Sequence, residues 1–123
     1  MKVNYIIIFV SNMKISVSFY KYVLGLPLKF ETPDWSEFET EGATIALHKS
    51  NTAKRADDET ATEAPGSCRP GFRVLNLDGF HKRMIENNVK CRQEPKEVFG
   101  ERIAQYLDPD GLTISVSEVS RKK

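Results

Sequence analysis

Long hydrophobic runs are missing from this sequence. The longest unbroken one, Tyr5–Val10, falls far short of the roughly 20 apolar residues a membrane helix needs. It is also too short and too close to Met1 for a signal-peptide core, and no small-residue cleavage site follows it. Charge of one sign is absent too: 18 basic and 17 acidic residues leave a net charge of +1. Lys and Arg are scattered, clustering only in the tail Arg121-Lys122-Lys123. A nucleic-acid surface needs a basic stripe to displace counterions, so that class of partner is excluded. Cysteine is scarce, with only Cys68 and Cys91. Without an export signal, they read as free thiols of a reducing, cytoplasmic compartment. Between Ser50 and Gly66 there is no Leu, Ile, Val or aromatic residue. Such a stretch cannot anchor a core and reads as a mobile linker or exposed loop.

What is present, on either side of that linker, is the same pattern twice. The first half opens with Val3–Val10, apolar at both parities, which predicts a strand buried on both faces. Asn12 reads as a helix N-cap. Met13, Val17, Tyr20 and Leu24 then form a helical stripe, Gly25 takes the left-handed terminating position, and Pro27 blocks continuation. Strands are expected at Leu28–Thr32, Trp35–Thr40 and Ala43–Lys49, separated by Pro33-Asp34 and Glu41-Gly42. In the second half a strand is expected over Gly71–Leu75, extending back to include Arg69. Asn76 is the cap, and Leu77, Phe80 and Met84 are the stripe. Strands follow at Arg92–Val98, Arg102–Leu107 and Leu112–Glu118, the last two joined by the turn Asp108-Pro109-Asp110-Gly111. The fold class is therefore α+β: two βαβββ modules, residues 1–49 and 67–118, forming a cupped mixed β-sheet with helices outside. The linker spans 50–66 and a basic tail 119–123, and the whole chain is one domain.

The segments Val10-Ser11-Asn12-Met13, Phe19-Tyr20-Lys21-Tyr22-Val23-Leu24-Gly25-Leu26, Gly42 to His48, Gly71-Phe72-Arg73-Val74 and Asp108 to Ile114 carry a resemblance. In this order and spacing the chain resembles the glyoxalase, bleomycin-resistance and extradiol-dioxygenase superfamily, also called the vicinal oxygen chelate superfamily. The resemblance implies fold, not reaction. Enzymes of that family usually hold a divalent metal with His, Gln or Glu on the first and last strand of each module. Carried over one by one, those positions fall on Tyr5, Ala46, Arg69 and Ser115. A methyl group cannot ligate, and a guanidinium brings positive charge. No metal or other cofactor is therefore expected.

Strand parity assigns the cup. Tyr5, Ile7 and Phe9 should face it from the first strand, and Thr44, Ala46 and His48 from the fourth. Arg69 and Arg73, with Thr113, Ser115 and Ser117, should face it from the second module. Trp35 and Phe38 have opposite parity on the third strand, so one of them can face the cup, and the resemblance implies Phe38 in the core and Trp35 at the wall or rim. The candidate ligand-binding set is Tyr5, Ile7, Phe9, Trp35, His48, Arg69, Arg73 and Ser115. An apolar, aromatic-lined concavity with a few polar groups suits a small molecule. The arginines suit an anionic group or a planar ring. The plainer reading has Tyr5, Ile7 and Phe9 filling the space between sheets, with the arginines at an edge. His81, between Phe80 and Lys82-Arg83, reads as a solvated helix residue. No nucleophile with a supporting base and no phosphate loop is indicated, so no catalytic residue is assigned.

The resemblance thus implies a metal-independent small-molecule-binding protein of the drug-sequestering, bleomycin-resistance kind, acting as a homodimer. The competing reading is a metal-dependent lyase, isomerase or dioxygenase of the same superfamily, using His48 and unorthodox ligands. A third is a structural or regulatory dimer whose cup is packed shut.

Overall fold

The computed structural model describes residues 1–50 and 65–119. Nearly all of the expected linker, and the Arg121-Lys122-Lys123 tail, lie outside the described residues. The chain divides into two compact units, Met1–Arg55 and Ala56–Lys123, each carrying one βαβββ module.

In the first unit β1 (Tyr5–Val10) leads into α1 (Met13–Ser18), continued by a π-helical turn over Phe19–Val23. Asn12 caps α1 as expected, its Oδ1 accepting the Ile15 N–H at 3.0 Å. Gly25, at φ 87°, ends the helical segment in the left-handed region that glycine adopts without a Cβ clash. The strands β2 (Leu28–Phe30), β3 (Trp35–Phe38) and β4 (Thr44–Lys49) complete a four-stranded mixed sheet of order β1-β4-β3-β2. β4 runs parallel to β1 and antiparallel to β3. The core lies between the helix and one sheet face: Ile8, Val10, Met13, Val17, Phe19, Tyr20, Phe38, Ile45 and Leu47 are all buried. Each such large side chain contributes about 1.5–3 kcal/mol by leaving water. The π turn inserts one residue, which lets both Phe19 and Tyr20 face inward, their rings 5.1 Å apart.

The second unit repeats the plan with β5 (Gly71–Val74), α2 (Leu77–Glu86), β6 (Cys91–Val98), β7 (Glu101–Leu107) and β8 (Thr113–Glu118), in sheet order β5-β8-β7-β6. Asn76 caps α2 by accepting the Gly79 N–H at 3.0 Å. Leu77, Met84, Ala104, Tyr106, Ile114 and Val116 form its core. In the β7–β8 turn the Asp108 carboxylate accepts the N–H groups of Asp110 and Leu112, both at 2.9 Å. Gly111 closes that turn at φ 84°.

Three local expectations need correction. β1 is not buried on both faces: Ile8 and Val10 are buried beneath the helix, whereas Tyr5, Ile7 and Phe9 are 46%, 40% and 64% exposed. The second-unit strand does not reach Arg69. It begins at Gly71 because Pro70 has no N–H to donate to the ladder, although the Pro70 carbonyl still accepts from Ser115 N. His81 is not a solvated residue. It is half-buried, and its Nδ1 lies 2.8 Å from the Tyr106 hydroxyl. No helix among the described residues is long and apolar enough to cross a membrane.

Candidate functional site

The position of β4 between β1 and β3 organises the open face of the first unit, the face turned away from α1. Two of the outward β4 residues have a register neighbour on either side and the third on one side. Ala46 stands between Ile7 and Glu37, and His48 between Phe9 and Trp35, while Thr44 is opposite Tyr5. Alternation along the strands sends these side chains to one face and leaves Ile45, Leu47 and Phe38 to the core.

The result is a contiguous row of four rings. The Phe9 and His48 centroids are 5.5 Å apart. The His48 and Trp35 centroids are 5.8 Å apart with planes at 85°. Trp35 meets Tyr5 at 6.1 Å and 86°. Edge-to-face pairs of this kind place the positive rim of one ring on the negative face of the next, adding about 0.5–1.5 kcal/mol per pair. Trp35 and Tyr5 belong to strands on opposite sides of β4, and only the methyl group of Ala46, itself buried, lies between their rows.

Polar groups then fix the rings. The indole Nε1–H of Trp35 donates to Glu37 Oε2 at 2.8 Å. Nδ1 of His48 is 2.8 Å from the Lys49 carbonyl. A carbonyl only accepts, so Nδ1 carries the proton, and Nε2 of the neutral ring is an acceptor. Lys29 Nζ donates to Thr44 Oγ1 at 2.9 Å, at the Tyr5 end of the face.

The second unit presents a different open face. Ser115 is paired with Gly71 and Gln105, and Ser117 with Arg73 and Ile103. Arg73 is exposed and Ser115 half-buried, while Arg69 is half-buried ahead of the strand. Thr113 is buried with no hydrogen-bond partner for Oγ1 among the described residues. Of the residues expected in the site, Tyr5, Ile7, Phe9, Trp35 and His48 share the first unit's open face. Arg73 and Ser115 share the second unit's, and Arg69 lies outside its strand. Glu37 was missed in the sequence, although its two-residue spacing from Trp35 puts it on the same face.

The donor set does not fit a divalent metal. At the positions where the family places ligands stand the buried methyl of Ala46, the Arg69 guanidinium, and the weakly ligating hydroxyls of Tyr5 and Ser115. Among the described residues no three His, Cys, Asp or Glu side chains converge. The cysteines are free, Cys68 exposed and Cys91 half-buried. Burial, with a smaller contribution from the Glu94 charge, pushes the Cys91 thiol up from its ordinary pKa, which makes it less nucleophilic at neutral pH.

The chain is similar to the uncharacterized protein YraH of Bacillus subtilis (strain 168), with 27% identity over 94% of this chain and 97% of that protein. Among solved structures it is similar to TnmS3, an antibiotic-binding protein from Streptomyces sp. CB03234. The TM-score is 0.73, with 26% identity over 98% of this chain and 97% of that one. It shares its fold with a lactoylglutathione lyase from Agrobacterium tumefaciens, at TM-score 0.71 and 16% identity, over 94% of this chain and 92% of that one. Residues 2–116 match the model of one family. The repeated module, its caps and that match together make the chain a member of the Glyoxalase/Bleomycin resistance protein/Dioxygenase superfamily.

Proposed function

We propose that this protein binds a small aromatic molecule without a resident metal, using the open face of its first unit. The observation that carries this reading is the row Tyr5–Trp35–His48–Phe9, whose rings are held to one another yet remain partly exposed. Exposed apolar side chains gathered in one place, rimmed by polar groups, are the mark of a binding surface. The ring row includes Tyr5 and borders Ala46, two positions where the resemblance puts metal ligands, and the chemistry offered there is stacking rather than coordination. The likeness to an antibiotic-binding protein supports sequestration over turnover. The same reading carries a homodimer, which the family resemblance implies and sedimentation equilibrium checks, and a cytoplasmic setting, which the two free thiols suggest.

Trp35 is the only tryptophan, so its emission reports this face alone. The test is calorimetric and fluorescence titration, in EDTA, with three planar two-ring probes: quinoline, N-methylquinolinium and 2-naphthoate. Saturable quenching of Trp35 by at least one probe is expected, lost in Trp35→Ala by calorimetry. Absence of binding by all three, or binding that requires an added divalent metal, overturns the reading.

A further inference from the structure

We propose that the ring face of the first unit is selective for a planar organic cation, and that Glu37 sets that selectivity. This rests on the binding function proposed above and names its ligand class.

The polar atoms at the centre of the face are acceptors. Glu37 is half-buried beside Ala46, one register step from Trp35 and His48. One of its carboxylate oxygens accepts the indole N–H, and among the described residues the other accepts no hydrogen bond, so its lone pairs can meet a ligand. That bond also uses the only side-chain donor Trp35 has, so a ligand meets the indole through its π face and not through a hydrogen bond. His48 commits its Nδ1 proton to the Lys49 carbonyl, which leaves Nε2 an acceptor in the neutral ring. At the Tyr5 end of this face the Lys29 ammonium donates to Thr44.

Aromatic faces and a carboxylate favour the same kind of guest. The ring quadrupole attracts a cation placed over it within about 6 Å, the more so when water is displaced. Tyr5 and His48 stand nearly perpendicular to the indole, at 86° and 85°, so a guest meets π surface from more than one direction. A partly buried carboxylate repels an anion and gains a charge-assisted contact from a cation. A neutral aromatic gains only the stacking.

The three probes differ mainly in charge. N-methylquinolinium is expected to bind ~10-fold more tightly than quinoline and to exclude 2-naphthoate, as one cation–π contact plus one charge-assisted contact implies. Glu37→Gln keeps an oxygen for the indole N–H, so Trp35 emission should stay close to that of the parent protein. In this variant the cation should lose about 10-fold in affinity while quinoline changes by less than about 2-fold. Equal affinity for all three probes in the parent protein overturns the proposal and leaves aromatic binding standing, as does a cation preference that survives Glu37→Gln. Failure of every probe, with Trp35 emission instead depending on protein concentration, shows a second copy covering the face and overturns both readings.

Discussion

Tyr5 and Trp35 meet edge to face at 6.1 Å although the whole width of β4 separates their strands. Their rows are flanked in β4 by Thr44 and His48, with Ala46 between. A larger side chain at 46 would occupy the space into which the two rings lean. Ala46→Leu is therefore expected to part the rings, destabilise the protein by about 1–3 kcal/mol through overpacking, and shift Trp35 emission to the red. Urea unfolding followed by circular dichroism measures the first effect and steady-state fluorescence the second. An unchanged emission would show that the ring contact does not depend on the small residue.

On the helix-facing side of the second unit, the buried Tyr106 hydroxyl is 2.8 Å from His81 Nδ1. Burial, then the nearby Cys91 and Glu94, holds the Tyr106 phenol well above the ordinary tyrosine range. The folded protein thus keeps this proton after the unfolded chain has released it, near pH 10. That stabilisation is fully present below the unfolded pKa and declines as pH rises beyond it. Tyr106→Phe should be less stable at pH 7, and its stability should fall less steeply between pH 10 and 11 than that of the parent. Urea midpoints across that range decide it, and parallel pH profiles would count against the assignment.

Most of the fold was legible because its signals are local. Asn before an apolar helical stripe, Gly after it and Asp-Pro-Asp-Gly between two strands each act through bonds to nearby backbone. The faces were half legible. Parity placed Tyr5, Ile7, Phe9 and His48 together, and the family resemblance added Trp35, but apolar residues at both parities of β1 suggested a second buried face that the first unit's own helix does not supply. His81 was misread from its neighbours Lys82 and Arg83, although it stands four residues after the buried Leu77 and so on the same helix face. The π turn at Phe19–Val23 has no marker in composition, since it is fixed by how Phe19 and Tyr20 pack. Glu37 was overlooked because a glutamate in an amphipathic strand ordinarily faces water, and only its bond to Trp35 ties it to the rings.

The two helix caps invite a paired test. Asn12 accepts from Ile15 N and Asn76 from Gly79 N, both at 3.0 Å. Asn12→Ala and Asn76→Ala should each cost about 0.5–2 kcal/mol, the usual worth of an N-cap. The two bonds share no partner, so the double variant should lose nearly the sum, within about 0.5 kcal/mol. A much smaller sum by urea denaturation would show that one unit unfolds before the other and that the chain is not two-state.

Asp108 offers the sharpest separation of charge from hydrogen bonding. It is buried, and its Oδ1 accepts the N–H groups of both Asp110 and Leu112. The turn is also closed by backbone bonds from Asp108 N to Leu112 O and from Gly111 N to Asp108 O. Asp108→Ala would leave two backbone donors without their acceptor, at a cost of about 1–3 kcal/mol. Asp108→Asn retains an acceptor oxygen of the same reach and should recover most of that loss. Thermal unfolding of the two variants beside the parent makes the comparison. If Asn fares no better than Ala, the negative charge, and not the pair of accepted bonds, is what the turn requires.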